Sequence, residues 1–245
     1  MTLILELISF VLLIFAIYKG TPALFKYLAL RALATGKNDK AISRYKVAST
    51  IFGGNKQYKI EHALVLMRLG EYQNAETILT ALILDRSLPQ KNKISAKTYR
   101  AMAYLKQGRK EEALEDMEEL FETAKTTITY GMMGYLKQLD GGAELDLCKE
   151  AYEYNSDDRD ICDNLLVAYI RTGDYENADE IASALREKFP YFLEGFYHSA
   201  MLELKKGNKK AASEYLEKTA DCKRSSLTTI SAEDIENLRK EIKNA

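Results

Sequence analysis

Apolar positions fall into two patterns along the 245-residue chain. Leu3 to Tyr18, LILELISFVLLIFAIY, is an almost unbroken apolar run interrupted by Glu6 and Ser9. Beyond residue 22 apolar and polar positions are mixed, and no run as apolar recurs. As a helix rising ~1.5 Å per residue, the first run covers roughly 24 Å, short of a hydrocarbon core of ~30 Å. Lys19 and the residues after it extend the run, and long side chains at either end reach the headgroups. No Lys or Arg precedes the run and no A-x-A motif follows it, so the marks of a cleaved signal peptide are missing. Residues 1–21 therefore read as a transmembrane anchor, with a core or interfacial helix as the alternative. Lys19, Lys26, Arg31, Lys37 and Lys40 follow it closely, which predicts a chain held in the cytoplasm from about residue 20 onward.

The second pattern is a repeat. ATGKNDKA, RLGEYQNA, KQGRKEEA, RTGDYENA and KKGNKKAA each place an alanine five residues after a glycine. The glycines are Gly36, Gly70, Gly108, Gly173 and Gly207, spaced by 34, 38, 65 and 34 residues. One degenerate unit fills the long gap, with Leu139 at the glycine's place and Glu144 at the alanine's. The period predicts two helices per unit, the first ended by a left-handed glycine cap. Ala41, Ala75, Ala113, Ala178 and Ala212 let the second helix approach closely. Ala29, Ala63, Ala101 and Ala200, seven before the glycines, do the same on the first, while Met132 and Leu166 break that pattern.

These residues resemble the tetratricopeptide repeat (TPR). AYLKQGRKEEA at 103–113 matches its helix–turn–helix signature, and AYIRTGDYENA at 168–178 matches it more fully, with Pro190 closing that unit. The resemblance implies an all-α fold. It is a right-handed superhelical solenoid of about six TPR-like helix pairs, starting near residues 22, 56, 94, 125, 159 and 193. An N-terminal transmembrane helix precedes it. The solenoid covers residues 22–226, and residues 227–245 form a C-terminal capping helix that Ser231 opens with acidic residues behind it. SLPQKNKIS between the second and third units reads as a loop holding extra residues.

Composition agrees with long helices: 3 prolines and 13 glycines are too few for a many-turned sandwich or barrel. Cys148, Cys162 and Cys222 are odd in number and lie far from His62 and His198, a spacing that fits neither a disulfide framework nor a zinc site. The chain has no phosphate-loop, dinucleotide, zinc-protease or nucleophile-elbow motif. NSDDRDICD lacks the spacing of a calcium loop and reads as an acidic helix start. His198 has no identifiable nucleophile and reads as a partly exposed helix residue. The chain is therefore expected to be a non-enzyme with no cofactor, no metal and no small-molecule substrate.

The net charge of -1 hides an asymmetry. Residues 22–110 hold 17 Lys+Arg against 5 Asp+Glu, whereas residues 111–245 hold 17 against 30. The basic part is drawn to an anionic cytoplasmic lipid surface. Arginine and interleaved aromatics are sparse there, so nucleic acid is not an expected partner. The resemblance implies that contacts come from fixed positions on each first helix, lining a concave groove. In this sequence they are Leu64, Met67, Met102, Leu105, Met133, Leu136, Val167, Ile170, Met201 and Leu204. The family's clamp for a C-terminal carboxylate lacks its Asn. An apolar groove fits a peptide or protein partner, and the competing reading is that these residues simply pack between neighbouring helices. The expected function is a single-pass scaffold or adaptor at the cell membrane, with its repeat domain in the cytoplasm. The alternative is a permanent structural or assembly subunit of a membrane protein complex.

Overall fold

The computed structural model describes residues 2–142, 144–222, 224–225 and 227–245, with the side chains of residues 2–5 and of Gly53 left out. Ser226, the expected end of the repeat region, and Ala143, inside the turn of the fourth unit, lie outside the described residues. Among the described residues the regular structure is entirely helical. The helices follow one another in pairs: α1 (Thr2–Ala34) and α2 (Asn38–Thr50), α3 (Lys56–Arg68) and α4 (Tyr72–Leu84), α5 (Gln90–Lys106) and α6 (Lys110–Thr123). Then come α7 (Thr127–Leu139) and α8 (Leu145–Tyr154), α9 (Arg159–Thr172) and α10 (Tyr175–Lys188), α11 (Leu193–Lys205) and α12 (Lys209–Lys218), and a final α13 (Ala232–Asn244).

The turns follow from the glycines. Gly36, Gly70, Gly108, Gly173 and Gly207 all have φ between +68° and +84°, a region where a side chain is strained. The alanines five residues on, Ala41, Ala75, Ala113, Ala178 and Ala212, are fully buried.

The degenerate unit is not in the register expected from Leu139. The left-handed glycine is Gly141, at φ +91°, two residues later. Counting from it, the small residue seven earlier is Gly134, where a Cβ would come within 2.7 Å of Asn164 Nδ2. Two extra turn residues then delay α8, so Cys148 rather than Glu144 takes the alanine's place and is buried. Glu144 is instead the residue before α8, itself left-handed at φ +42°.

A second departure is at Ser87–Ser95. Pro89 is the N-cap of α5, which runs 17 residues from Gln90, so the extra residues are a helical turn and not a loop. Lys91, Asn92 and Lys93 contain no breaker, and proline is accommodated at a helix start.

The chain forms two compact units, Met1–Gly108 and Arg109–Ala245. In the first, α1 continues without a break through Pro22. Beside the proline, the Thr21 hydroxyl donates to the Ile17 carbonyl at 2.7 Å. Ala29 and Ala32 are the buried points of α1 and let α2 pack closely. Glu6–Ala34 is the one described helix long and apolar enough to cross a membrane. Its large apolar side chains, from Leu7 to Ile17, are exposed. In the second unit, Leu165, Leu166, Ile181, Leu185 and Leu202 build the core between α9, α10 and α11. At the far end Leu238 and Ile242 of α13 pack on Ala200, Ala212 and Leu216. Ser231 and Asp234 form a reciprocal capping box that starts α13.

Candidate interaction site

Within the second unit, the first helices α7, α9 and α11 lie side by side. Polar side chains fix their spacing. Gln138 Nε2 donates to the Asn164 carbonyl at 2.7 Å, and Asn164 Nδ2 donates to the Gly131 carbonyl at 2.8 Å. Arg171 Nη1 donates to the carbonyls of Gln138 and Gly142 at 2.7 and 2.8 Å, tying the end of α9 to that of α7. Between α9 and α11, His198 Nδ1 donates to Asp163 Oδ1 at 2.8 Å, with both side chains mostly buried. Burial works against a charged imidazole, but Asp163, joined by Glu194, outweighs it and holds His198 above its ordinary pKa. His198, partly exposed as expected, is thus also an ion-pair partner that bridges two helices.

Two further acids face this pair. Asp158 caps α9, accepting from the Asp160 and Ile161 amides at 3.0 and 3.1 Å, as the acidic helix start predicts. The Asp160 side chain is half exposed and lies 3.5 Å from Arg159 Nε; desolvation by neighbouring protein, with Asp158, Asp163 and Glu194 adding to it and Arg159 opposing it, pushes its carboxyl up to about 6. Burial likewise raises buried Glu194. Glu194 Oε1 accepts the Thr229 amide at 2.9 Å. Burial pushes the Tyr135 hydroxyl of α7 up to about 12, with nearby Thr229 opposing the shift. The connection before α13 therefore crosses α7 and α11 on this acidic side.

The predicted groove residues divide. Met67, Met102, Met133, Leu136, Val167 and Ile170 are buried and pack between helices. Leu64, Leu105, Met201 and Leu204 are half-buried. Met201 and Leu204 lie against the cluster that α13 completes. In the fourth unit the two-residue shift changes the assignment. It brings Tyr135 and Gln138 to the positions assigned to Met133 and Leu136. Asp160, Asp163, Glu194 and Tyr197 occupy the second and fifth positions of their helices, which the apolar reading passed over. Their signal was two acids on α9 and one on α11 at positions that the repeat resemblance directs inward.

The basic residues also divide. Lys19, Arg31, Lys37 and Lys40 are exposed. Lys26 is half-buried: its Nζ pairs with Glu61 at 2.7 Å and sits 4.9 Å from the Tyr58 ring centroid. The first unit also has a cavity of about 500 Å³ among α2, α3 and α4, lined by Lys46, Lys59 and His62. Burial, helped by Lys46, lowers buried His62 to about 4, so it is neutral at physiological pH. Its Nδ1 lies 3.5 Å from Ser49 Oγ, whose proton goes to the Lys46 carbonyl. Cys148 and Cys162 are buried and burial pushes both thiols up to about 11, which makes them inert.

The family model described as the psidin N-terminal TPR repeats region matches residues 84–215, more than half of the chain. The chain belongs to this tetratricopeptide-repeat family. Solved TPR proteins share its fold. One from Parabacteroides merdae is 16% identical, with a TM-score of 0.57 over 92% of this chain and 100% of that one. A thermophilic TPR protein of Thermus thermophilus is 18% identical, with a TM-score of 0.58 over 78% and 98%. A chain of the APC/C Cut9–Hcn1 hetero-tetramer is 12% identical, with a TM-score of 0.67 over 92% of this chain and 44% of that one. None of the curated proteins compared matches the sequence. In this TPR protein the charge asymmetry follows the two units: Met1–Gly108 holds 16 Lys+Arg against 6 Asp+Glu, and Arg109–Ala245 holds 19 against 30.

Proposed function

We propose that this TPR protein is a single-pass membrane scaffold that presents its repeats in the cytoplasm to a peptide or protein partner. The observation that carries the reading is α1. Its first half bears exposed Leu7, Phe10, Val11, Leu12, Leu13, Ile14 and Phe15, and apolar surface of that extent is stable only under lipid or another protein. The same helix runs on into the first repeat, so the anchor and the solenoid are joined by hydrogen-bonded backbone and not by a free linker. Exposed Lys19, Arg31, Lys37 and Lys40 lie just beyond the apolar run and favour the cytoplasmic side.

The TPR family membership supports an interaction role for the rest of the chain. In the second unit, the surface available to a partner along α7, α9 and α11 is acidic, through Asp160 and its neighbours. In the first unit, half-buried Leu64 and Leu105 offer apolar contacts of their own. His198 and Asp163 form the base-and-orienter half of a nucleophilic site, but a binding role fits them better, since the pair bridges two helices. A topology reporter fused after Ala245 tests the membrane reading. Activity confined to the cytosol-sensitive reporter is expected, and an extracytoplasmic signal overturns it.

A further inference from the structure

The connection between α2 and α3 is unlike the glycine turns elsewhere in the chain. Ile51 to Gly53 form a single 3-10 turn, and within it Phe52 is left-handed, at φ 54° and ψ 39°. A bulky aromatic residue pays for that conformation in strain, and such outliers persist where the surrounding structure gains from them. Gly54, at φ +84°, closes the turn so tightly that a Cβ would lie 2.4 Å from the Ser49 carbonyl oxygen. The result is to hold Phe52 outward, with its side chain exposed.

What Phe52 touches is the end of the apolar run. Its ring lies 5.2 Å from the Tyr18 ring, centroid to centroid, and its carbonyl accepts the Tyr18 hydroxyl at 3.5 Å. Lys19, the next residue, places Nζ 5.8 Å from the Tyr18 ring centroid. So the turn stands beside α1 where apolar sequence gives way to the first basic residue. Aromatic side chains concentrate at that level in membrane proteins, where the ring meets acyl chains and polar atoms meet headgroups. On the other side of the turn Lys59 lies against Gly54. Charge and apolar surface are thus arranged for one occupant, an anionic lipid surface.

We infer that the Ile51–Gly54 turn is a second membrane contact, which inserts Phe52 into the headgroup region beside Tyr18. It fixes the first repeat pair against the bilayer surface. The inference rests on the anchor reading of α1. The chain contains no tryptophan, so a single introduced Trp reports alone. The full chain is reconstituted in phosphatidylcholine–phosphatidylglycerol vesicles whose acyl chains carry bromine at shallow or deep positions. Three variants are compared: Phe52→Trp, Phe10→Trp within the apolar run, and Leu84→Trp, at an exposed site on α4. Circular dichroism checks that each remains helical.

The expected result is a blue-shifted Phe52→Trp emission quenched more by shallow than by deep bromine. Phe10→Trp is quenched more by deep bromine, and Leu84→Trp by neither. Quenching of Phe10→Trp with Phe52→Trp unquenched overturns this inference and leaves the anchor standing. Absence of quenching at both positions overturns the two together.

Discussion

His62 and His198 are the same side chain placed in opposite environments, and their titrations differ in sign. His62 is buried beside Lys46, so its folded pKa of about 4 lies below the ordinary 6.5. The unfolded chain then binds the extra proton first. The stability that His62 contributes is complete above pH 6.5 and is lost as pH falls from there toward 4, by roughly 3 kcal/mol in all. Replacing it by Gln removes that slope, so His62→Gln is expected to show a flatter stability–pH curve over this interval in urea unfolding. His198 is the reverse case. Asp163 raises its pKa above 6.5, so its contribution is complete below pH 6.5 and is lost as pH rises through the folded value. His198→Gln is therefore expected to be most destabilising at mildly acid pH, with the loss shrinking toward alkaline pH. A loss that is independent of pH would show that the ion pair does not form.

At the scale of elements, helix pairs depend on small residues more than on strong contacts. Ala178 is fully buried where α10 meets α9. Ala178→Leu adds bulk to a contact with no room and is expected to cost about 1–3 kcal/mol, read from the midpoint of denaturant unfolding. Leu84→Ala, on an exposed position of α4, is expected to change stability by less than about 0.5 kcal/mol.

The pairs were legible in the sequence because a left-handed glycine and a packing alanine are both required in each unit and recur in phase. The fourth unit was misread because its glycine, Gly141, is followed by inserted turn residues, and Cys148 substitutes for the alanine. A slip of two residues rotates a helix by roughly 200°, which changes the side chains that the fourth unit's first helix presents at the repeat's contact positions. The acidic side of α7, α9 and α11 was legible only in part. Asp160 and Asp163 can be seen in the sequence, but the contacts of Glu194 with Thr229 and of His198 with Asp163 join residues some 35 positions apart. Likewise, nothing in IFGG announces that Phe52 meets Tyr18.

For the whole molecule, the near-zero net charge conceals a basic unit that carries the apolar helix and an acidic unit built from the later repeats. In the proposed function α1 ties the repeats to a membrane, since the exposed side chains from Leu7 to Ile17 have no cover within the described chain. A peripheral protein held by charge alone would be released by high salt, because screening shortens the reach of its lysines. A spanning helix is held by burial of apolar surface, which neither salt nor alkali removes. The most direct measurement is extraction of membranes containing the full chain with high salt and then with alkaline carbonate, beside a chain lacking residues 2–21. The full chain is predicted to stay with the membrane through both treatments, and the shortened chain to be released. Release of the full chain into the carbonate supernatant would contradict the account.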